Sequence, residues 1–126
     1  MDHPFWIRAG SLMMFLAVAL GAFGAHGLRD ILSEEMKGVY ETAVRYQVYH
    51  ALGLFVVAWI STRAPSRSLD WAGWCFLAGI LLFSGSLYAL SLTGIKKFGA
   101  ITPLGGLLFL SGWLVLLFSA RPPARL

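Results

Sequence analysis

The stretch "IRAGSLMMFLAVALGAFGAHGL", residues 7–28, decides the fold. Its length is close to the ~20 apolar residues that an α-helix needs to cross a bilayer. It closes on "GAFGAHGL", where the side chains thin to glycine and alanine around one histidine. Three more apolar runs follow, at about Tyr46–Ile60, Trp71–Leu92 and Pro103–Ala120, with charge confined to short stretches between them. Of the 126 residues, 58% are hydrophobic and 13% charged, where a soluble domain carries roughly 25% charged. A water-soluble core of this size cannot absorb that much apolar surface. In lipid every backbone group must be paired within its own segment, so each run is read as a helix. The expected fold class is all-α, an integral membrane four-helix bundle forming one domain over residues 1–126, with helices at about 7–28, 34–61, 70–92 and 103–120.

Punctuation along the chain agrees with these runs. His3 and Pro4 suit the cap and first position of helix 1, since proline lacks a donor that would be orphaned there anyway. Ser33 ahead of Glu34 and Glu35 supplies helix 2 with a capping hydroxyl and negative charge at its positive dipole end, and Ser68 with Asp70 does the same for helix 3. Thr102 and Pro103 start helix 4, while Gly27–Leu28 and Gly94–Ile95 read as glycine stops. Helix 2 begins before the membrane, because Met36, Val39, Tyr40 and Ala43 keep helical spacing among Glu35, Lys37, Glu41 and Arg45. Glu41 stands four residues ahead of Arg45, a favourable order for an exposed pair. A cleaved signal peptide competes for helix 1, with Ala22 and Gly24 as small residues, but the preceding segment is weakly basic and three further spans follow.

Tryptophan prefers the water boundary of a bilayer. Phe5, Trp6, Trp59, Trp71 and Trp74 fall on the side that carries both termini, and Tyr40, Tyr46 and Phe98 mark the other. Arginines 8, 63, 67, 121 and 125 on the first side balance Arg29, Lys37, Arg45, Lys96 and Lys97 on the second. Discounting Arg45 as partly embedded tips the count towards cytoplasmic termini. The net charge of +4 reads as contact with anionic headgroups rather than nucleic acid, since no basic stripe with exposed, interleaved aromatics is present. A single cysteine, Cys75, inside an apolar run excludes a disulfide framework and a cysteine-pair metal site.

Helix association in lipid relies on close backbone approach at small residues. Ala17, Gly21 and Ala25 form such a stripe on helix 1, Gly85 with Ala89 on helix 3, and Gly105 with Gly112 on helix 4. His26 either caps the negative end of helix 1 or meets a partner from helix 2, where "RYQVYHALGL" offers Arg45, Tyr46, Gln47, Tyr49 and His50. Thr42, Tyr46, Tyr49, His50 and Gly53 share one face, and pairing of helices 1 and 2 through it brings both histidines to one leaflet. His50 lies in the apolar part of helix 2, where an unpaired polar group is costly. A neutral imidazole bonded to Ser84, Ser86 or Tyr88 of helix 3 is one resolution, and a polar pocket built from Arg45, Gln47, His50 and "FSGSLYALS" is another. Ligation of haem or metal by His26 and His50 has no CxxCH, acidic cluster or third core histidine beside it. Neither cofactor nor metal is predicted. No embedded Asp or Glu is available to orient an imidazole, so no catalytic residue is assigned and an enzyme is not expected.

Four motifs in order, "GAFGAHGL", "YQVYHALGL", "FSGSLYAL" and "GAITPLGG", resemble the YgdD/YwdK-type family of small bacterial inner-membrane proteins, which has relatives in mitochondrial membranes. The likeness covers nearly the whole chain. It implies a four-helix, multi-pass protein of the bacterial inner membrane and supplies no reaction and no catalytic residue. The expected function is a non-enzymatic binding or assembly module, alone, as a homo-oligomer or with a membrane-protein partner. The alternatives are a small-solute or ion translocator and a haem- or quinone-binding protein.

Overall fold

The computed structural model describes residues 2–119. The expected helix end at Ala120 and the arginines at 121 and 125 lie outside them. Five α-helices account for most of the described chain: α1 (His3–His26), α2 (Glu34–Ser61), α3 (Arg67–Gly79), α4 (Gly85–Thr93) and α5 (Thr102–Ser119). A π-helical turn, Ile80–Ser84, joins α3 to α4 without a break, and a 3-10 turn, Lys96–Ala100, leads into α5. Four helical stretches are thus long and apolar enough to span a bilayer: His3–His26, Glu34–Ser61, Arg67–Thr93 and Lys96–Ser119. The fold is an all-α membrane bundle.

The caps differ in part from those expected. Ser33 does cap α2, accepting from the Met36 N–H at 3.2 Å. The cap of α1 is Asp2, which accepts from the Phe5 N–H, because its carboxylate outcompetes the His3 imidazole for an orphan donor. Ser66, two residues before the expected Ser68, caps α3 through the Leu69 N–H. Thr102 lies inside α5 and turns its hydroxyl to Ser86 instead of capping. Gly94 ends α4 in the left-handed conformation, φ 71°, with its N–H on the Leu90 carbonyl. Gly27 keeps a right-handed φ of −74°, so it terminates α1 without using glycine's freedom.

α1 packs chiefly along α2 and α5 chiefly along α3, while α2 also meets α3 and α4. The α1–α2 seam keeps steps of four and three, or their sum of seven, on both helices: Trp6, Gly10, Met13 and Ala17 against Tyr40, Gln47, Ala51 and Leu54, all buried. That is the repeat of two helices held together by interlocking side chains. Gly10 and Gly24 are the close approaches, since a Cβ on Gly10 would lie 3.2 Å from the Ala51 carbonyl and one on Gly24 would enter the Tyr40 ring. The expected stripe Ala17–Gly21–Ala25 steps by four each time and so rotates about 40° per step. Ala17 is buried, Gly21 reaches Val44, and Ala25 has turned out of the interface.

On the other hairpin a Cβ on Gly105 would fall 2.4 Å from the Phe83 backbone nitrogen, and one on Gly112 would meet Phe76. Gly79 makes room for Phe109, whereas Gly85 faces open space and packs against nothing. At the terminal end Trp6 is fully buried rather than at the lipid boundary, in a slot vacated by Gly73, with its indole N–H on the Asp70 carboxylate at 3.0 Å. Trp59 and Trp71 remain exposed, as boundary residues should be.

Candidate functional site

The inward face of α3 runs Leu69, Gly73, Phe76, Ile80. A regular helix would continue it through 83, 87 and 90. The π turn inserts one residue, which shifts the inward positions to Ser84, Tyr88 and Ser91. The polar strip of this span therefore faces α2 instead of lipid. Ser84 donates to the Ala43 carbonyl at 2.7 Å, and Tyr88 donates to Gln47 Oε1 at 2.7 Å. Gln47 in turn donates through Nε2 to the Met13 carbonyl at 2.8 Å, so one amide links α1, α2 and α4. Ser86 pairs with Thr102 at 2.6 Å. Among the described residues every buried side-chain polar atom has a partner, which lipid demands more strictly than water does.

His50 is not bonded to Ser84, Ser86 or Tyr88. Its Nε2 lies 3.0 Å from Nε1 of Trp113 on α5, and its Nδ1 lies 2.8 Å from the Tyr46 carbonyl. An indole nitrogen can only donate, so Nε2 accepts and Nδ1 carries the proton. The ring also stacks on Phe109, 3.4 Å between centroids and 5° between planes. Both ring nitrogens are engaged by protein atoms of the bundle. The serines fall elsewhere because their hydroxyls reach backbone carbonyls nearer to hand.

The two histidines do not converge. Gly24 lies beside Tyr40, which puts His26 level with residues near 38, roughly 18 Å along the axis from His50. The face carrying Tyr46, Tyr49 and His50 looks away from α1, towards α5 and lipid. Among the described residues no group of three or more His, Cys, Asp or Glu is placed to hold a metal ion.

His26 instead opens onto a cleft of about 590 Å³ between the end of α1 and the first half of α2. Gly21, Ala25 and Val44 form its apolar wall, Tyr40 its floor, and His26, Arg29, Lys37, Glu41 and Arg45 its polar rim. Tyr40 is fixed by its hydroxyl on the Leu20 carbonyl and by an edge contact with the Tyr88 ring. Lys37 pairs with the exposed Glu34 at 2.9 Å. Glu41 and Arg45, expected as a helical pair, both line the cleft without forming an ion pair, and among the described residues neither Arg29 nor Arg45 has a carboxylate within ion-pair distance. Of the residues expected to form one polar site, the structure gathers His26 and Arg45 here, Gln47 with Tyr88 in the core, and His50 beside Trp113.

Trp113 and Thr102 were not foreseen as partners, nor Arg29, Lys37 and Glu41 as part of a polar site. Lys37, Glu41 and Arg45 step by four along one helix face, which was the available signal for the cleft.

Residues 20–106 match the family described as "Protein of unknown function (DUF423)". The chain belongs to this family. Among its relatives, the UPF0382 membrane protein SH2409 of Staphylococcus haemolyticus is 51% identical over 114 residues, covering 90% of this chain and 93% of the relative. The UPF0382 membrane protein YwdK of Bacillus subtilis is 49% identical over 116 residues, covering 91% and 94%. No solved structure matches the chain. Family membership and the four spans agree in making this an integral membrane protein.

Proposed function

We propose that the chain is a non-enzymatic binding module of the bacterial inner membrane, with cytoplasmic termini, whose cleft between α1 and α2 holds an anionic group in the opposite leaflet. One observation carries this reading: Arg29 and Arg45 enter the same cleft with no carboxylate partner among the described residues. A guanidinium near hydrocarbon calls for a counter-charge. Lys37 adds a third cation, because its partner Glu34 is 91% exposed and such a surface pair holds it weakly. The bundle interior supports a scaffold role over a translocation path, since Gln47, Tyr88, Ser84 and His50 spend their polar atoms on one another's helices. The positive side-chain count favours cytoplasmic termini once Arg45 is assigned to a ligand.

A native mass spectrum from mild detergent tests the reading. The expected result is a bound anion of discrete mass that disappears in the Arg29→Gln, Arg45→Gln double variant. Bare protein that also fails to take up any added anion would contradict it.

A further inference from the structure

Resting on that reading, we infer that the anionic group is the phosphate of an anionic glycerophospholipid, which enters the cleft sideways from the bilayer. Depth is the first argument. Tyr40 and the exposed Trp59 are separated by 19 residues of α2, about 28 Å of helix, which matches the ~30 Å hydrocarbon core. Tyr40 therefore stands at the boundary opposite the tryptophan side. Arg45 lies five residues further towards the centre, about 7–8 Å below that boundary. Its long side chain reaches back up towards the headgroups. A dissolved anion must leave water to meet it, whereas a lipid phosphate already sits at that level.

The shape of the cleft is the second argument. Its apolar wall at Gly21 and Ala25 continues along the exposed stripe Ala25, Ala22 and Val18 of α1, which faces lipid. A phosphate held by Arg45 thus has an uninterrupted apolar track beneath it for its own acyl chain. The rim supplies the charge: guanidinium from Arg29 and Arg45, ammonium from Lys37, and an imidazole from His26, against the single carboxylate of Glu41. Guanidinium binds phosphate oxygens through paired, charge-assisted hydrogen bonds. Glu41, an acceptor only, suits a headgroup hydroxyl and points to a glycerol headgroup.

The test uses the full-length protein in a non-ionic detergent, titrated separately with phosphatidylglycerol, phosphatidylcholine and inorganic phosphate, with adducts counted by native mass spectrometry. The expected result is one phosphatidylglycerol per chain, preferred over phosphatidylcholine. Arg45→Gln and Arg29→Gln should each weaken it about tenfold, as loss of a charge-assisted contact does. Ala25→Leu keeps every charge and fills the cleft, and should weaken it comparably. Arg63→Gln, at the opposite boundary, should leave it unchanged. Arg45 and Ala25 are exposed, so these variants should keep wild-type helicity and melting, which circular dichroism checks. Equal binding of the two lipids, or full binding by Arg45→Gln and Ala25→Leu, overturns the inference. Uptake of inorganic phosphate but not lipid overturns the lipid source and leaves the anion site standing. Binding of neither removes both.

Discussion

Trp113 on α5 donates its indole N–H to Nε2 of His50 on α2 at 3.0 Å, and that bond fixes the imidazole as its Nδ1–H tautomer. The histidine is thereby a fastening between two helices that have few other polar links, with Phe109 stacked against its face.

Trp113→Phe keeps an aromatic ring at that place and removes only the donor. It leaves Nε2 without its partner, which should lower stability by about 1–2 kcal/mol. Unfolding in mixed micelles measures the loss, and 15N NMR of the His50 ring should show the tautomer ratio shifting. Unchanged stability together with an unchanged spectrum would show that the bond contributes nothing.

Gly105 and Gly85, both on the second hairpin, should respond oppositely to alanine. At Gly105 the new Cβ would lie 2.4 Å from the Phe83 backbone nitrogen and 2.7 Å from its Cα, and a backbone cannot swing aside as a side chain can. Gly105→Ala should cost about 2 kcal/mol or more through overpacking. Gly85 has open space around it, so Gly85→Ala should be neutral or stabilising by up to about 1 kcal/mol from helix propensity. Thermal melts of the pair in one detergent check this, and equal losses at both positions would refute the packing described.

Gln47 and Tyr88 form a polar link whose two halves depend on each other. Tyr88→Phe strands the Gln47 carbonyl oxygen, and Gln47→Leu strands the Tyr88 hydroxyl. A double-mutant cycle should give a coupling of about 0.5–2 kcal/mol. Strict additivity would mean that the two act independently.

The π turn makes a topological prediction. Deleting Leu82 restores an ordinary helical repeat and keeps Ser84, Tyr88 and Ser91 facing α2, whereas inserting one alanine after Leu82 turns them by about 100° away from it. In a Ser84→Cys background a lipid-soluble maleimide should label the cysteine in the insertion variant and leave it protected in the deletion variant and in the parent, where Ser84 is fully buried. Equal labelling would show that the turn does not set the phase of α4.

Much of this architecture was readable because lipid leaves a chain few choices. Apolar runs of bilayer length have to be helices, and Ser33 and Gly94 announce their ends by local chemistry alone. Caps at Asp2 and Ser66 were displaced by one or two residues because several polar side chains compete at each start. What could not be read was azimuth. A stripe stepping by four leaves the seam within two turns, as Ala25 does, and the true α1 seam includes Met13, which is not small. The π turn hides in "ILLFS", which has the composition of any membrane helix. Consequently the partners of His50 and Ser84 depend on a phase that no local pattern records.

Solid-state NMR of the protein in phosphatidylglycerol vesicles tests the central claim most directly, by 31P dephasing of 13Cζ-labelled arginine at chosen sites. The cleft reading predicts strong dephasing at Arg45 and Arg29 and little at Arg63, which stacks on Trp59 at the opposite boundary. Dephasing at Arg63 as strong as at Arg45, or none at Arg45, would contradict it.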